Sequence, residues 1–129
     1  MKLKLIEIAE LYKLKDTLSN LIINYDSRRK LKRLYEAFEK EIKFILDEEQ
    51  ALIGEYAKKD EKGNTLIKDN FYIFENREKE IEFKGKVKEL HLVEIDVEYE
   101  KITLTTEQQG QLNISINQEN LLKLILNLD

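Results

Sequence analysis

The stretch LKRLYEAFEKEIKFILDEEQALIGEY, residues 31–56, decides the fold of this chain. Its apolar residues recur in steps of four and three, and Glu49 takes the one polar position of the series. The apolar members are Leu31, Tyr35, Phe38, Ile42, Ile45, Leu52 and Tyr56. This heptad spacing keeps one apolar stripe on the same side of a helix. We therefore predict a long helix, about residues 28–59, whose stripe is buried against a partner.

A first helix precedes the heptad helix. After a short strand pattern at residues 1–5, apolar residues from about residue 7 are again spaced by three or four. Asp26 or Ser27 can cap the next helix start. Because the connection at residues 24–27 is short, the two helices should be antiparallel neighbours, a helical hairpin over about residues 7–59. The predicted contacts of the heptad stripe are Leu11, Leu14, Leu18 and Leu21.

A small β-hairpin and a third helix are predicted next. Residues 60–64 (DEKGN) form a clear turn, and two short β-rich runs follow at 65–67 and 71–74. Asp69 and Asn70 between them tolerate the left-handed backbone angles that a tight hairpin turn needs. Asn76 is a suitable cap for a helix over about residues 77–90.

The following segment alternates strictly between apolar and acidic residues. Its acidic members are Glu94, Asp96, Glu98 and Glu100, and its apolar members are Val93, Ile95, Val97 and Tyr99. This predicts a strand with one buried face and one acidic face. The apolar residues move from odd to even positions after this segment, and a break near residues 100–101 accounts for the change. Residues 112–116 are predicted to form a further strand. Asn117 is predicted to cap a short terminal helix.

The order of elements predicts an α+β fold in a single domain, residues 1–129. It comprises the antiparallel helical hairpin, the β-hairpin, the third helix, an antiparallel sheet and the C-terminal helix. The mixed α/β part covers about residues 60–129.

Composition excludes several function classes. The 129 residues include no cysteine and one histidine, His91, so thiolate chemistry and closed zinc sites are not expected. We predict no cofactor, no metal and no enzymatic activity, and a cytoplasmic location, because no long apolar run is present. The net charge of −4 gives no general attraction to nucleic acid or anionic membranes.

Two charged clusters are the candidate partner-binding surfaces. The basic cluster at the start of the heptad helix contains Arg28, Arg29 and Arg33, with Lys30 and Lys32. It could grip phosphates or dock an acidic protein. The acidic strand face of Glu94, Asp96, Glu98 and Glu100 could meet a basic protein surface. Charged strands also block unwanted strand pairing, which is the simpler explanation of the acidic row.

Residues 56–74 (YAKKDEKGNTLIKDNFYIF) and 77–97 (REKEIEFKGKVKELHLVEIDV) resemble a small family of conserved phage and prophage proteins of unknown function. The basic patch SRRKLKRL and the leucine-rich end LLKLILNLD are similar too. The resemblance implies a phage origin and supplies no active-site residues. The proline-containing C-terminal stretch that is usual in the family is absent from this chain.

Two functions follow as hypotheses. The first is a non-enzymatic phage-encoded module that occupies a surface of another protein, either as an inhibitor of a bacterial defence effector or as an accessory factor in phage assembly. The second is a nucleic-acid-binding protein that uses the basic cluster. A homodimer through the heptad stripe is an open alternative to burial within one chain.

Overall fold

The computed structural model describes residues 1–128. Asp129, which ends both the predicted domain and the leucine-rich end, lies outside the described residues. The helices are α1 (Leu5–Tyr12), α2 (Lys15–Ser19), α3 (Tyr25–Tyr56), α4 (Arg77–His91), α5 (Thr106–Gln109) and α6 (Ile116–Leu122). The strands are β1 (Lys2–Lys4), β2 (Ile67–Lys68), β3 (Phe71–Tyr72), β4 (Glu94–Asp96), β5 (Ile102–Thr103) and β6 (Leu126–Asn127). The predicted α+β class is confirmed.

The chain divides into two compact units. The first unit contains residues 1–42 and 94–129, and the second unit contains residues 43–93. The long helix α3 contributes its N-terminal part to the first unit and its C-terminal part to the second. Within residues 1–128, no helix combines the length and the apolar character that crossing a membrane requires.

The first unit is held together by pairings between distant parts of the chain. β1 pairs antiparallel with β4, so that Leu3 lies opposite Ile95. β5 pairs in parallel with β6, with Ile102 opposite Leu126. Helix α1 packs against α6. Both ends of the sequence therefore contribute to one apolar core, in which Ile8 and Leu122 are fully buried.

The heptad helix and its burial are confirmed, with α3 beginning and ending three residues earlier than predicted. Leu31, Tyr35, Phe38 and Ile45 are buried, and Ile42 is half-buried. The predicted partner leucines, Leu11, Leu14, Leu18 and Leu21, are buried as well. The hydroxyl of Tyr35 donates a 2.7 Å hydrogen bond to the carbonyl oxygen of Leu11. The stripe of the first unit is thus covered from within the chain.

The segment before α3 differs from the prediction in two respects. The single predicted helix is two helices, because α1 ends at Tyr12 and α2 begins at Lys15. Leu14 and Leu18 are buried on either side of the start of α2 all the same. The cap of α3 is Asn24, rather than Asp26 or Ser27, since its side-chain oxygen accepts from the backbone N–H of Ser27 at 2.8 Å.

The second unit follows the sequence patterns closely. Asp69 and Asn70 have φ angles of 53° and 67° and form the hairpin turn between β2 and β3. The side chain of Asn76 accepts from the N–H of Lys79 at 2.9 Å and caps α4 as predicted. The ring of Phe83 on α4 lies 6.4 Å from that of Tyr56 on α3, measured between centroids.

The C-terminal region contains the main corrections. The structure has no strand at residues 112–116, where one was predicted. A one-turn helix, α5, lies shortly before these residues. The terminal helix is capped by Ser115 instead of Asn117, through a reciprocal pair of hydrogen bonds with Gln118. The chain then enters β6, which the leucine-rich sequence alone could not distinguish from a continuing helix. The predicted antiparallel sheet is present where β4 pairs with β1, whereas β5 and β6 pair in parallel.

Candidate protein-binding groove

An open groove of about 660 Å³ lies between α3 and the segment 95–100 in the first unit. One face of α3 forms the first wall, with Lys30, Arg33, Leu34, Ala37, Phe38 and Glu41. All six consecutive residues from Ile95 to Glu100 form the second. We call this feature the charged groove, because Lys30 and Arg33, together with Glu41, line the helix wall, whereas the charged residues of the other wall are all acidic.

The alternation of the sequence explains how the second wall is built. Val97 is buried, and Ile95 and Tyr99 are half-buried, as the pattern predicts, whereas Val93 is 45% exposed and lies outside the buried face. The Tyr99 hydroxyl donates a 2.8 Å hydrogen bond to the carbonyl oxygen of Ile125. Burial raises the pKa of this phenol to about 12. Tyr99 therefore fixes the segment to the core, which directs the intervening carboxylates outward.

The acidic side chains of this segment are exposed. Asp96 Oδ1 lies 3.0 Å from the amino nitrogen of Met1. Among residues 1–128, the carboxylates of Glu94, Glu98 and Glu100 take part in no ion pair. The regular strand is shorter than predicted, since β4 ends at Asp96, but the residues after it still line the groove.

The helix divides the predicted basic cluster among different surfaces. Lys30 and Arg33 line the charged groove. Arg28 and Lys32 line a second groove of about 450 Å³, between α2 and α3. Arg29 makes a 3.0 Å ion pair with Asp26. A run that reads as one patch in sequence is therefore several surfaces in space, because neighbouring residues on a helix point in different directions.

An aromatic ring, that of Tyr25, accompanies the basic cluster in the structure, although the sequence pattern did not indicate it. The guanidinium carbons of Arg28 and Arg29 lie 5.5 and 5.9 Å from the centroid of this ring. The side chain is 66% exposed. Tyr25 is the first residue of α3, three and four positions before Arg28 and Arg29, so its closeness to the arginines follows from helical spacing.

Of the predicted partner-binding residues, the charged groove brings together Arg33, Asp96, Glu98 and Glu100. Glu94, Arg28 and Arg29 do not line it. Its apolar lining by Leu34 and Phe38 was missed, since the heptad pattern marks these positions only as core or near-core. The charged groove thus offers exposed carboxylates and cations beside the partly exposed apolar side chains of Ala37, Ile95 and Tyr99.

The second unit contains a different polar contact. His91 Nε2 and Glu49 Oε1 lie 2.8 Å apart, between α4 and α3, and both side chains are about one-third exposed. Glu49 is the polar member of the heptad series, so the histidine explains why an acidic residue is tolerated there. Among residues 1–128, no group of three or more His, Cys, Asp or Glu side chains is placed to hold a metal ion.

No protein-family model matches this chain, and comparisons with curated proteins and with solved structures found no match.

Proposed function

We propose that this protein is a non-enzymatic protein-binding module of phage origin that acts in the cytoplasm of a bacterial host. It would work by occupying a surface of a partner protein. The observation that carries the proposal is the charged groove, whose exposed carboxylates and cations lie on opposite walls around an apolar floor. The resemblance of residues 56–74 and 77–97 to phage proteins supports the origin. The partner would be a bacterial defence effector or a component of phage assembly.

The distribution of charge favours a protein partner over nucleic acid at this groove. A nucleic acid presents phosphates along its whole length, and Asp96, Glu98 and Glu100 would repel them. A protein surface can present cations to the acidic wall and an anion to Lys30 and Arg33.

The test is capture of partners from a host lysate by the wild-type protein and by matched charge-reversal variants. We expect Asp96→Lys, Glu98→Lys and Glu100→Lys together to abolish capture of a protein that the wild type retains. The control replaces three exposed glutamates of the second unit, Glu75, Glu78 and Glu82, by lysine. Circular dichroism verifies that each variant is folded. Retention of every wild-type partner by the first triple variant would contradict a role for the acidic wall.

One observation favours nucleic-acid binding as a second candidate. The exposed ring of Tyr25 beside Arg28 and Arg29 combines a stacking surface with two cations, as single-strand binding sites do. This function predicts binding to oligonucleotides that weakens steeply between 50 and 200 mM salt and is lost in Tyr25→Ala.

A homodimer would be seen as a doubled mass in solution.

A further inference from the structure

The segment 95–100 has one backbone edge that is paired and one that is not. The N–H of Val97 donates to the carbonyl oxygen of Met1 at 2.7 Å, so Ile95 and Val97 direct their backbone polar groups toward β1. The backbone groups of Asp96 and Glu98 therefore point away from β1. Within residues 1–128 these groups make no backbone hydrogen bond. An unpaired edge of this kind can accept another strand.

The charged groove adjoins this segment on the side away from β1. Six consecutive residues of the segment line it, and no residue of β1 does. β4 ends at Asp96, and a six-residue segment that continued in extended conformation would span about 20 Å at 3.3 Å per residue, enough for an added strand of five or six residues. The apolar floor consists of the half-buried Ala37, Ile95 and Tyr99, with Leu34 and Phe38 buried beneath them. Alternate side chains of an added strand would point toward this floor.

The paired edge of β4 shows which sequence the strand accepts. Its partner β1 reads Lys-Leu-Lys, and the register places Lys2 opposite Asp96 and Lys4 opposite Glu94. Leu3 between them is 2% exposed and belongs to the core. Opposite charges directly across a strand pair are favourable, whereas like charges are not. The acidic strand thus selects a neighbour with cations on one face and apolar residues on the other.

We propose that the unpaired edge of residues 95–100 binds an extended segment of the partner protein in which lysine or arginine alternates with apolar residues. The segment adds as a strand, and its cations lie beside Asp96, Glu98 and Glu100. Lys30 and Arg33 on the opposite wall disfavour cations on the other face of the added strand. This inference rests on the proposed function and specifies how the partner is recognised.

The test uses an acetylated and amidated peptide, Lys-Val-Lys-Val-Lys-Val-Lys, and the full-length protein. We expect binding that slows hydrogen exchange at the backbone amides of Asp96 and Glu98, because added-strand bonds cover them. Glu98→Lys should weaken binding at least about tenfold, a loss of about 1.4 kcal/mol. Glu82→Lys on α4 makes the same charge change on an exposed helix surface and should leave affinity unchanged.

Two further peptides make the outcome decisive. N-methylation of the amides on both edges should abolish binding, since it blocks strand hydrogen bonds in either peptide direction and keeps the charges. Replacement of the four lysines by glutamate should abolish it through repulsion. Binding of the N-methylated or the glutamate peptide at full affinity overturns the proposal, as does absence of protection at Asp96 and Glu98. Glu98→Gln provides the affinity comparison should Glu98→Lys not fold.

The failures of the two proposals are distinguishable. A partner that is captured by the wild type and lost on charge reversal, combined with no peptide binding, overturns strand addition and leaves the proposed function intact. A single-stranded oligonucleotide that protects the same two amides would overturn both.

Discussion

Among the described residues, the first unit (1–42 with 94–129) holds seventeen of the twenty buried hydrophobic residues, whereas the second unit (43–93) holds three. Those three are Ile45, Ile53 and Ala57. The exposed large hydrophobic side chains show the opposite distribution, since eight of the eleven lie in the second unit. Because burial of apolar area is the main favourable term in folding, the first unit should supply most of the stability.

The second unit relies on turns, a helix cap and a few partly exposed contacts instead of a deep core. Its turn residues, the Asn76 cap and the Glu49–His91 contact each contribute little by themselves. A partly exposed cluster of three aromatic rings adds to these contacts. The ring of Phe83 lies 5.2 Å from that of Phe74 and 6.4 Å from that of Tyr56, measured between centroids. The long helix α3 therefore begins in a region that buried apolar side chains stabilise. It ends in a region that turns, a helix cap and partly exposed contacts stabilise. Local opening should therefore start in the second unit.

The largest expected effect separates two phenylalanines on α3. Phe38→Ala in the first unit should lower the free energy of unfolding by about 3–5 kcal/mol, because the side chain is fully buried and leaves a cavity. Phe44→Ala, six residues further along, removes a side chain that is 46% exposed and should cost below about 1 kcal/mol. Urea unfolding measures both. A loss below about 1 kcal/mol for Phe38→Ala would contradict the burial of the heptad stripe.

A smaller effect is expected within the second unit. Phe83→Ala should cost about 1–2 kcal/mol, since the ring is only half-buried against Tyr56 and Phe74. Ile81→Ala on the same helix, where the side chain is 58% exposed, is the matched control and should be nearly neutral. Hydrogen exchange of α4 amides should accelerate in Phe83→Ala while exchange in α1 and α6 is unchanged. Equal acceleration in α1 would show that the two units open together.

Alkaline pH should lower the stability of the first unit. Burial holds the pKa of Tyr35 above its ordinary value near 10, so the folded state favours the neutral phenol. The raised pKa of Tyr35 therefore stabilises the folded state fully below about pH 10, and this stabilisation is lost as the pH rises toward the folded-state pKa. The corresponding stabilisation from Tyr99 is lost between about pH 10 and about pH 12.

Tyr35→Phe should remove about 1 kcal/mol at neutral pH, through loss of the hydrogen bond to Leu11, and reduce the decline of stability above pH 10. Tyr72→Phe in the hairpin, where the ring is 36% exposed, should change neither quantity. Denaturant midpoints measured from pH 7 to pH 11 decide the matter. An unchanged alkaline decline in Tyr35→Phe would assign the effect to other groups.

Prediction from sequence succeeded where the determinants are local. The heptad spacing, the turn at Asp69 and Asn70 and the Asn76 cap specify their elements within a few residues. It failed where structure depends on distant partners. Nothing in residues 121–128 alone indicates that the chain leaves α6 to pair in parallel with β5. The break between α1 and α2 has no local signal in the apolar spacing, because Leu14 and Leu18 continue the helical period of Ile8 and Leu11.

The candidate site shows the same limit. The acidic alternation and the basic run were both recognisable, because each is a contiguous pattern. Their meeting in one groove depends on the pairing of β4 with β1 and on the course of α3, which join residues more than sixty positions apart. The division of the basic cluster among three directions was predictable in principle from the helical period, once the helix start at Tyr25 was known.

The smallest expected effect is a gain of stability in the second unit. Gly85 lies inside α4, and a Cβ atom added there meets nothing within 4 Å. Gly85→Ala should therefore raise the free energy of local opening by about 0.5–1 kcal/mol, because alanine favours the helix. Gly54→Ala in the same unit should behave alike, since it too has open space on α3.

Gly63→Ala provides the control of opposite sign. Its φ angle of +81° is a conformation that side-chain-bearing residues rarely adopt, so the same substitution should destabilise the turn by about 1–2 kcal/mol. Hydrogen exchange at α4 amides, compared with exchange in α1, measures these effects separately for the two units. If Gly85→Ala protects α1 as much as α4, the second unit does not open by itself, and the contrast between a deeply buried unit and a locally stabilised one is wrong.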